Sequence, residues 1–147
     1  PRNVLYDGAR IWLVDWEASF LSDAYVDLAA ISNFFCQPGD DEPAWLTAYF
    51  GAAPTPAQTA RLHLARQISC IFYGSMIMMT AAQHGGGVAD WNTLGQIRIP
   101  DVHRRVAVGA FNLDSPEGQV AYGLAWYAEA LAGLTDPRLD QAFRLAA

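Results

Sequence analysis

The sequence contains no lysine, and all nine of its basic residues are arginine. Without lysine, the chain cannot form a Schiff base or hold a phosphate through an ammonium side chain of its own. Charged residues of both signs make up only 16% of the chain, and the formal net charge is −6. Basic residues cluster only at His103-Arg104-Arg105. We therefore expect no nucleic acid and no anionic membrane surface among the partners.

Cysteine is also scarce, since the chain holds only Cys36 and Cys70, far apart and outside any metal-binding spacing. Two such residues are typical of reduced thiols in an intracellular protein. Residues 1–5 also lack the charged region and apolar core that open a secretory signal peptide. These features predict a cytoplasmic protein.

Formal charge is absent from residues 68–89, a run long enough to raise the question of a membrane span. Polar Ser69, Thr80 and Gln83 interrupt the run, however, and residues 85–87 are three consecutive glycines. The run therefore predicts a helix buried in a protein core, with glycine ending it, and no insertion into a membrane.

The remaining pattern predicts a mainly α fold with one small β-hairpin. Apolar residues make up 52% of the 147 positions, enough for one well-filled core. Two short apolar runs flank an Asp-Gly pair, which is typical of a hairpin turn. About five helices follow, most beginning where a capping residue meets a proline. These starts are Asp41-Glu42-Pro43, Thr55-Pro56, Ser115-Pro116 and Asp136-Pro137.

Two polar residues flank the predicted hairpin. Asn3 precedes the first strand and Asp15 ends the second, in the stretch IWLVDWE. Antiparallel pairing would place these positions side by side. An amide carbonyl beside a carboxylate is an oxygen-only pair suited to Mg²⁺, with Glu17 close by. The alternative is that Asn3 and Asp15 only form a turn and a cap.

Three segments in order resemble the family of aminoglycoside phosphotransferases and choline/ethanolamine kinases. They are PRNVLYDG from position 1, IWLVDWE from position 11, and SDAYVDLA from position 22. In that family a catalytic loop ending in asparagine precedes a hairpin, a metal-binding D-W-E or D-F-G-like turn and a D-L-A helix. The D-W-E form is most similar to the choline-kinase branch. The resemblance covers residues 1–35 with specific motifs and the helical remainder only in general character.

The resemblance implies a role for each matched position. Asn3 and Asp15 match the family's Mg²⁺ ligands, with Asp15 bridging the metal to the phosphates of ATP. Glu17 lies where the choline-kinase branch keeps a glutamate near the metal. Asp27 matches a structural aspartate that supports the catalytic loop. The implied architecture is the C-terminal lobe of a protein-kinase-like fold over residues 1–147. Residues 1–17 would form the loop end, hairpin and metal turn, and residues 18–147 the helical subdomain.

The chain also departs from the family pattern. The catalytic base of a kinase loop lies five residues before the asparagine, which places it before Pro1. We therefore expect no catalytic residue in this chain. We expect it to be the metal-binding part of a longer phosphotransferase, inactive alone. Its partner would be a preceding half of the same protein or a second copy of the chain.

The acceptor is harder to predict. Choline kinases enclose the ammonium of their substrate with aromatic rings, one of them directly after D-W-E, where this chain has Ala18. The later helical pair reads Tyr73 and Met76, and Trp91 and Trp126 are further candidates for a substrate pocket. The expected acceptor is a hydroxyl of a choline- or ethanolamine-like or an aminoglycoside-like molecule. The alternative is a non-catalytic helical domain that binds a small molecule or a protein.

Overall fold

A computed structural model describes residues 3–36 and 42–146. The chain begins with the predicted hairpin, in which β1 (Val4–Tyr6) pairs with β2 (Ile11–Leu13) in antiparallel register. The connection has four residues, and its Gly8 has a φ of +97°, a conformation that glycine adopts without steric cost. The Asp7 carboxylate accepts hydrogen bonds from two backbone N–H groups of the loop, at 2.9 and 2.8 Å. This aspartate therefore fixes the turn.

Six α-helices follow within the described residues, which confirms the mainly helical fold class. The kinase-lobe identity of that fold stays a prediction. The helices are α1 (Ala24–Phe35), α2 (Glu42–Phe50), α3 (Pro56–Gln83), α4 (Ile99–Ala107), α5 (Pro116–Leu134) and α6 (Leu139–Ala146). Short 3₁₀ turns lie at Trp16–Ala18 and Trp91–Thr93.

Two of the predicted helix starts follow from capping chemistry, whereas the last helix begins at Leu139, two residues after the predicted Asp136-Pro137 start. Thr55 and Gln58 form a reciprocal capping box at the start of α3, with Pro56 at the first position. The Ser115 side chain likewise accepts the N–H of Gly118 in the first turn of α5. The predicted cap Asp41 of α2 lies outside the described residues. Helix α4 was not predicted, because its N-cap position holds Arg98, whose side chain makes no capping bond.

Two groups of buried side chains hold the helices together. The larger group surrounds Trp126 of α5, which is completely buried, and includes residues of α3 and α4. The smaller group joins α1, α2 and α3 around Leu28 and Leu62.

The long neutral segment of α3 is a helix, as predicted, but only one side of it is buried: Cys70, Gly74 and Ala81 are buried, whereas Ile68, Phe72 and Met79 are more than half exposed. No helix in the described part of the chain is long and apolar enough to cross a membrane.

Candidate metal site at the mouth of the hairpin

The hairpin brings Asn3 and Asp15 together. The backbone N–H of Val14 donates to the carbonyl of Asn3 at 3.1 Å, which extends the ladder by one pair beyond the strands. The Asn3 side-chain Nδ2 then lies 2.8 Å from Asp15 Oδ2 and donates a hydrogen bond to it. Two side chains twelve positions apart in sequence therefore meet at the mouth of the hairpin, as antiparallel pairing requires.

Asp15 has an unusual backbone. Its φ of 67° and ψ of 57° lie in the left-handed region, and no other non-glycine residue in the described ranges has a positive φ. The residue is the N-cap of the following 3₁₀ turn, yet its carboxylate makes no capping hydrogen bond. Left-handed residues other than glycine are concentrated at functional sites, where surrounding structure holds them in place. The backbone thus turns sharply at Asp15, and its carboxylate bonds across the hairpin to Asn3 instead of capping its own turn.

The oxygen atoms at this position suit a hard divalent cation. Asp15 Oδ2 accepts only the Asn3 amide, and no hydrogen bond within the described residues reaches Oδ1. The Asn3 amide presents its nitrogen to Asp15, so a 180° rotation of the amide would offer its oxygen instead. Mg²⁺ prefers one or two protein oxygens together with phosphate oxygens and water. The pair fits that preference by its chemistry.

Glu17 lies within the 3₁₀ turn and is exposed. Its carboxylate makes no hydrogen bond or ion pair to another described residue. Within residues 3–36 and 42–146, no group of three or more His, Cys, Asp and Glu side chains is placed to hold a metal ion. A metal role for Glu17 therefore stays a prediction, as do those of Asn3 and Asp15.

Asp27 is exposed in the first turn of α1. None of the described residues donates a hydrogen bond to its carboxylate, and the support of the catalytic loop that the resemblance implies stays a prediction. Its position instead lets it act on Tyr73, whose pKa is raised by burial and, secondarily, by the Asp27 charge. The N-cap of the same helix, Asp23, has the stronger anchor, since its carboxylate lies 2.7 Å from Arg61 Nη2.

The four residues proposed for a substrate pocket do not line a common cavity. The partly buried Tyr73 packs against the core, with its ring centroid 5.3 Å from that of the fully buried Trp126. Met76 and Trp91 are exposed, and Trp91 packs beside Tyr127 at 5.5 Å. The aromatic rings of α3 and α5 pack between these helices, and the assignment of the four residues to a substrate pocket stays a prediction.

Two cavities lie on the helical part. One of about 270 Å³ has Arg66, Arg98 and Trp126 at its wall, together with both cysteines. Burial raises the pKa of the Cys70 thiol to about 12, so this cysteine is not a nucleophile near neutral pH. Both cysteines are free thiols, as the sequence predicts. The second cavity, of about 410 Å³, lies between the start of α3 and α6.

A polar network between helices escaped the sequence reasoning. The hydroxyl of Ser32, fully buried on α1, donates to Glu42 Oε1 at 2.6 Å. Arg66 Nη1 donates to the same oxygen at 2.8 Å, and its Nε donates to Asn33 Oδ1 at 2.9 Å. The network joins α1, α2 and α3 beside the smaller cavity. Each hydrogen bond of the network joins residues that are 10 to 33 positions apart, so no local sequence pattern signals them.

Comparisons of the chain with protein-family models, with curated proteins and with solved structures found no match.

Proposed function

We propose that the mouth of the hairpin is the Mg²⁺-binding part of a small-molecule kinase site. The proposed reaction transfers the γ-phosphoryl group of ATP to a hydroxyl of a choline- or ethanolamine-like or an aminoglycoside-like acceptor. The observation that carries the proposal is the 2.8 Å hydrogen bond from Asn3 to Asp15, a residue with a left-handed backbone whose side chain makes no capping hydrogen bond. The resemblance of residues 1–35 to the kinase motifs supports the same assignment.

In this proposal Asp15 and Asn3 hold the cation. Glu17 is assigned a place near it because the choline-kinase branch keeps a glutamate at the matching position. A bound Mg²⁺ would neutralise charge on the phosphates of ATP. The role of the chain is positional: the left-handed turn directs the Asp15 carboxylate outward, and the strand pairing fixes Asn3 beside it. The general base of the reaction is not assigned to a residue of this chain.

A metal titration tests the proposal. Mn²⁺, a paramagnetic stand-in for Mg²⁺, is titrated into the chain with and without ATP and followed by electron paramagnetic resonance. Asp15→Asn keeps a residue type that tolerates the left-handed backbone but removes the charge. We expect it to weaken binding at least about tenfold, since it removes a direct ionic ligand. The control is Glu117→Gln, another exposed acid, in the first turn of α5. Equal binding by all three proteins would overturn the metal assignment.

The alternative is a non-catalytic helical domain. The exposed apolar side chains of the hairpin favour it, because such surfaces mark binding interfaces. A chain that binds no Mn²⁺ with ATP, yet retains its fold by circular dichroism, would support this alternative over the kinase.

A further inference from the structure

The cavity of about 270 Å³ has two arginines in its wall. Arg66 reaches it from α3, and Arg98 reaches it from the N-cap position of α4. A carboxylate, that of Glu129 on α5, lies in the same wall. An engineered apolar cavity of about 150 Å³ holds benzene. The cavity of this chain therefore has room for a six-membered ring that carries a small polar group.

Both arginines keep hydrogen-bond donors that the described residues do not use. Arg98 donates through Nε to Glu129 Oε1 at 2.7 Å, and neither of its Nη nitrogens has an acceptor among the described residues. Arg66 uses Nε for Asn33 and Nη1 for Glu42, and its Nη2 likewise has no acceptor in the described part of the chain. Because a guanidinium carries five N–H donors in a planar fork, the two side chains can still bind a group with two acceptor oxygens.

The indole of Trp126 adds a buried donor to the same wall. Trp126 lines the cavity and is 0% exposed, and its Nε1 makes no hydrogen bond to a described residue. A buried donor without an acceptor is costly, and native structures supply an acceptor to most such groups. An acceptor group held in the cavity would satisfy this one.

The start of α4 supplies apolar surface and a favourable dipole. Ile99 and Pro100, the first two residues of this helix, lie in the wall together with the ring of Trp126. The N-cap residue Arg98 makes no side-chain capping bond, and the positive end of a helix dipole attracts anions. The cavity thus combines an apolar side with an end that favours negative charge.

The charges around the cavity restrict which anion fits. Each arginine already has one carboxylate partner, Glu129 for Arg98 and Glu42 for Arg66, so the site lacks the excess positive charge that a dianion would require. Burial lowers the pKa of His103, which also lies in the wall, so this ring is uncharged near neutral pH. Two guanidinium groups disfavour a cation. A monoanion with two acceptor oxygens, which is a carboxylate, matches these conditions.

We propose that this cavity binds a small monocarboxylate with an aromatic or aliphatic body. Its carboxylate would accept hydrogen bonds from Arg98 and Arg66, and its body would pack against Ile99 and the ring of Trp126. The inference goes beyond the proposed kinase function and does not depend on it, because it uses no residue of the hairpin and needs neither metal nor ATP.

Benzoate is the probe, and benzamide, which is uncharged and has nearly the same shape, is its control. Each compound is titrated into isotope-labelled chain without metal or ATP and followed by two-dimensional NMR. We expect benzoate at millimolar concentrations to shift the signals of the Trp126 indole N–H and the Arg98 Nε–H. Benzamide should bind at least about tenfold more weakly, because charge-assisted hydrogen bonds to a guanidinium are stronger than neutral ones. This comparison needs no variant.

A pair of variants supplies the second measurement. Arg98→Gln should weaken benzoate binding at least about tenfold, because it removes one guanidinium from the wall. The matched control is Arg104→Gln on the same helix, which also breaks an ion pair, with Asp101, but does not change the cavity wall. This control should bind benzoate like the parent chain. Circular dichroism checks that both variants keep their helices.

Four results would each overturn the proposal. The first is the absence of any benzoate shift up to about 10 mM, and the second is benzamide binding as tight as that of benzoate. The third is an equal loss of binding in the two variants. The fourth is tighter binding of phenyl phosphate than of benzoate, which would show that the site prefers a dianion.

Discussion

Gly123 on α5 lies where that helix crosses α3. A Cβ at this position would come within 2.7 Å of Met78 Cγ and 2.8 Å of its sulfur. The facing residue on α3 is also a glycine, Gly74, whose carbonyl oxygen would lie 3.4 Å from the same Cβ. The Met78 side chain can therefore lie this close to α5 only because position 123 carries no side chain.

Whether Gly123→Ala raises or lowers the free energy of unfolding depends on two opposing contributions. Alanine in a helix interior is favoured over glycine by about 1 kcal/mol. Overpacking a filled core costs about 1–3 kcal/mol, and the contact with Met78 is near the base of that side chain, where it cannot simply swing away. We therefore expect Gly123→Ala to lower the free energy of unfolding by about 1 kcal/mol. A change of that size lowers the melting temperature by roughly 2–5 °C in a domain of this length.

Gly133 on the same helix is the matched control. A Cβ there would meet the end of the Gln67 side chain, with Oε1 and Cδ both in contact with it. Gln67 holds only a 3.3 Å hydrogen bond to the His63 carbonyl, so the whole side chain can move aside by changing its rotamer. Gly133→Ala should therefore leave stability equal or slightly higher. Urea unfolding followed by circular dichroism at 222 nm measures both variants. A Gly123→Ala chain as stable as Gly133→Ala would refute the close-packing argument.

Three further predictions concern the polar network that joins Ser32 to Glu42, the histidine His63, and the hairpin. Ser32→Ala should cost about 1 kcal/mol in urea unfolding, whereas Glu42→Ala should cost more, because it leaves the buried Ser32 hydroxyl without an acceptor. Burial lowers the pKa of His63 in the fold, so its contribution is complete above about pH 6.5 and is lost as the pH falls toward the folded pKa. Melts from pH 7 to pH 5 should fall less steeply in His63→Gln, and identical slopes would contradict the assignment. Asp7→Ala should disorder the hairpin, because it removes both loop hydrogen bonds and the 2.7 Å bond from Trp12 Nε1. Amide exchange in the strands should then rise while the helical melt stays unchanged.

The sequence predicted those elements whose signals are local. The Asp-Gly turn and the Thr55-Pro56 start act within a few residues, so the hairpin and α3 could be located. The approach of Asn3 to Asp15 was also predictable, because strand pairing converts sequence separation into proximity.

Other features depend on which face of a helix meets which neighbour. Tyr73 and Met76 are three positions apart on α3, yet Tyr73 packs in the core and Met76 is 43% exposed. Aromatic content alone could not tell that Trp126 is completely buried in the core. The Ser32–Glu42 contact likewise depends on how α1 and α2 pack, which no periodicity describes.

The separation between hairpin and core has a consequence for how this chain tolerates change. Residues of β1 and β2 contribute nothing to either buried group, so a selection that rewards only folding or heat resistance acts on the helices and leaves the hairpin free to drift. Asp15 could then be lost in a variant that looks improved by every measure of stability. Libraries of this protein therefore need two separate selections, one for stability of the helical part and one for the proposed metal binding at the mouth of the hairpin.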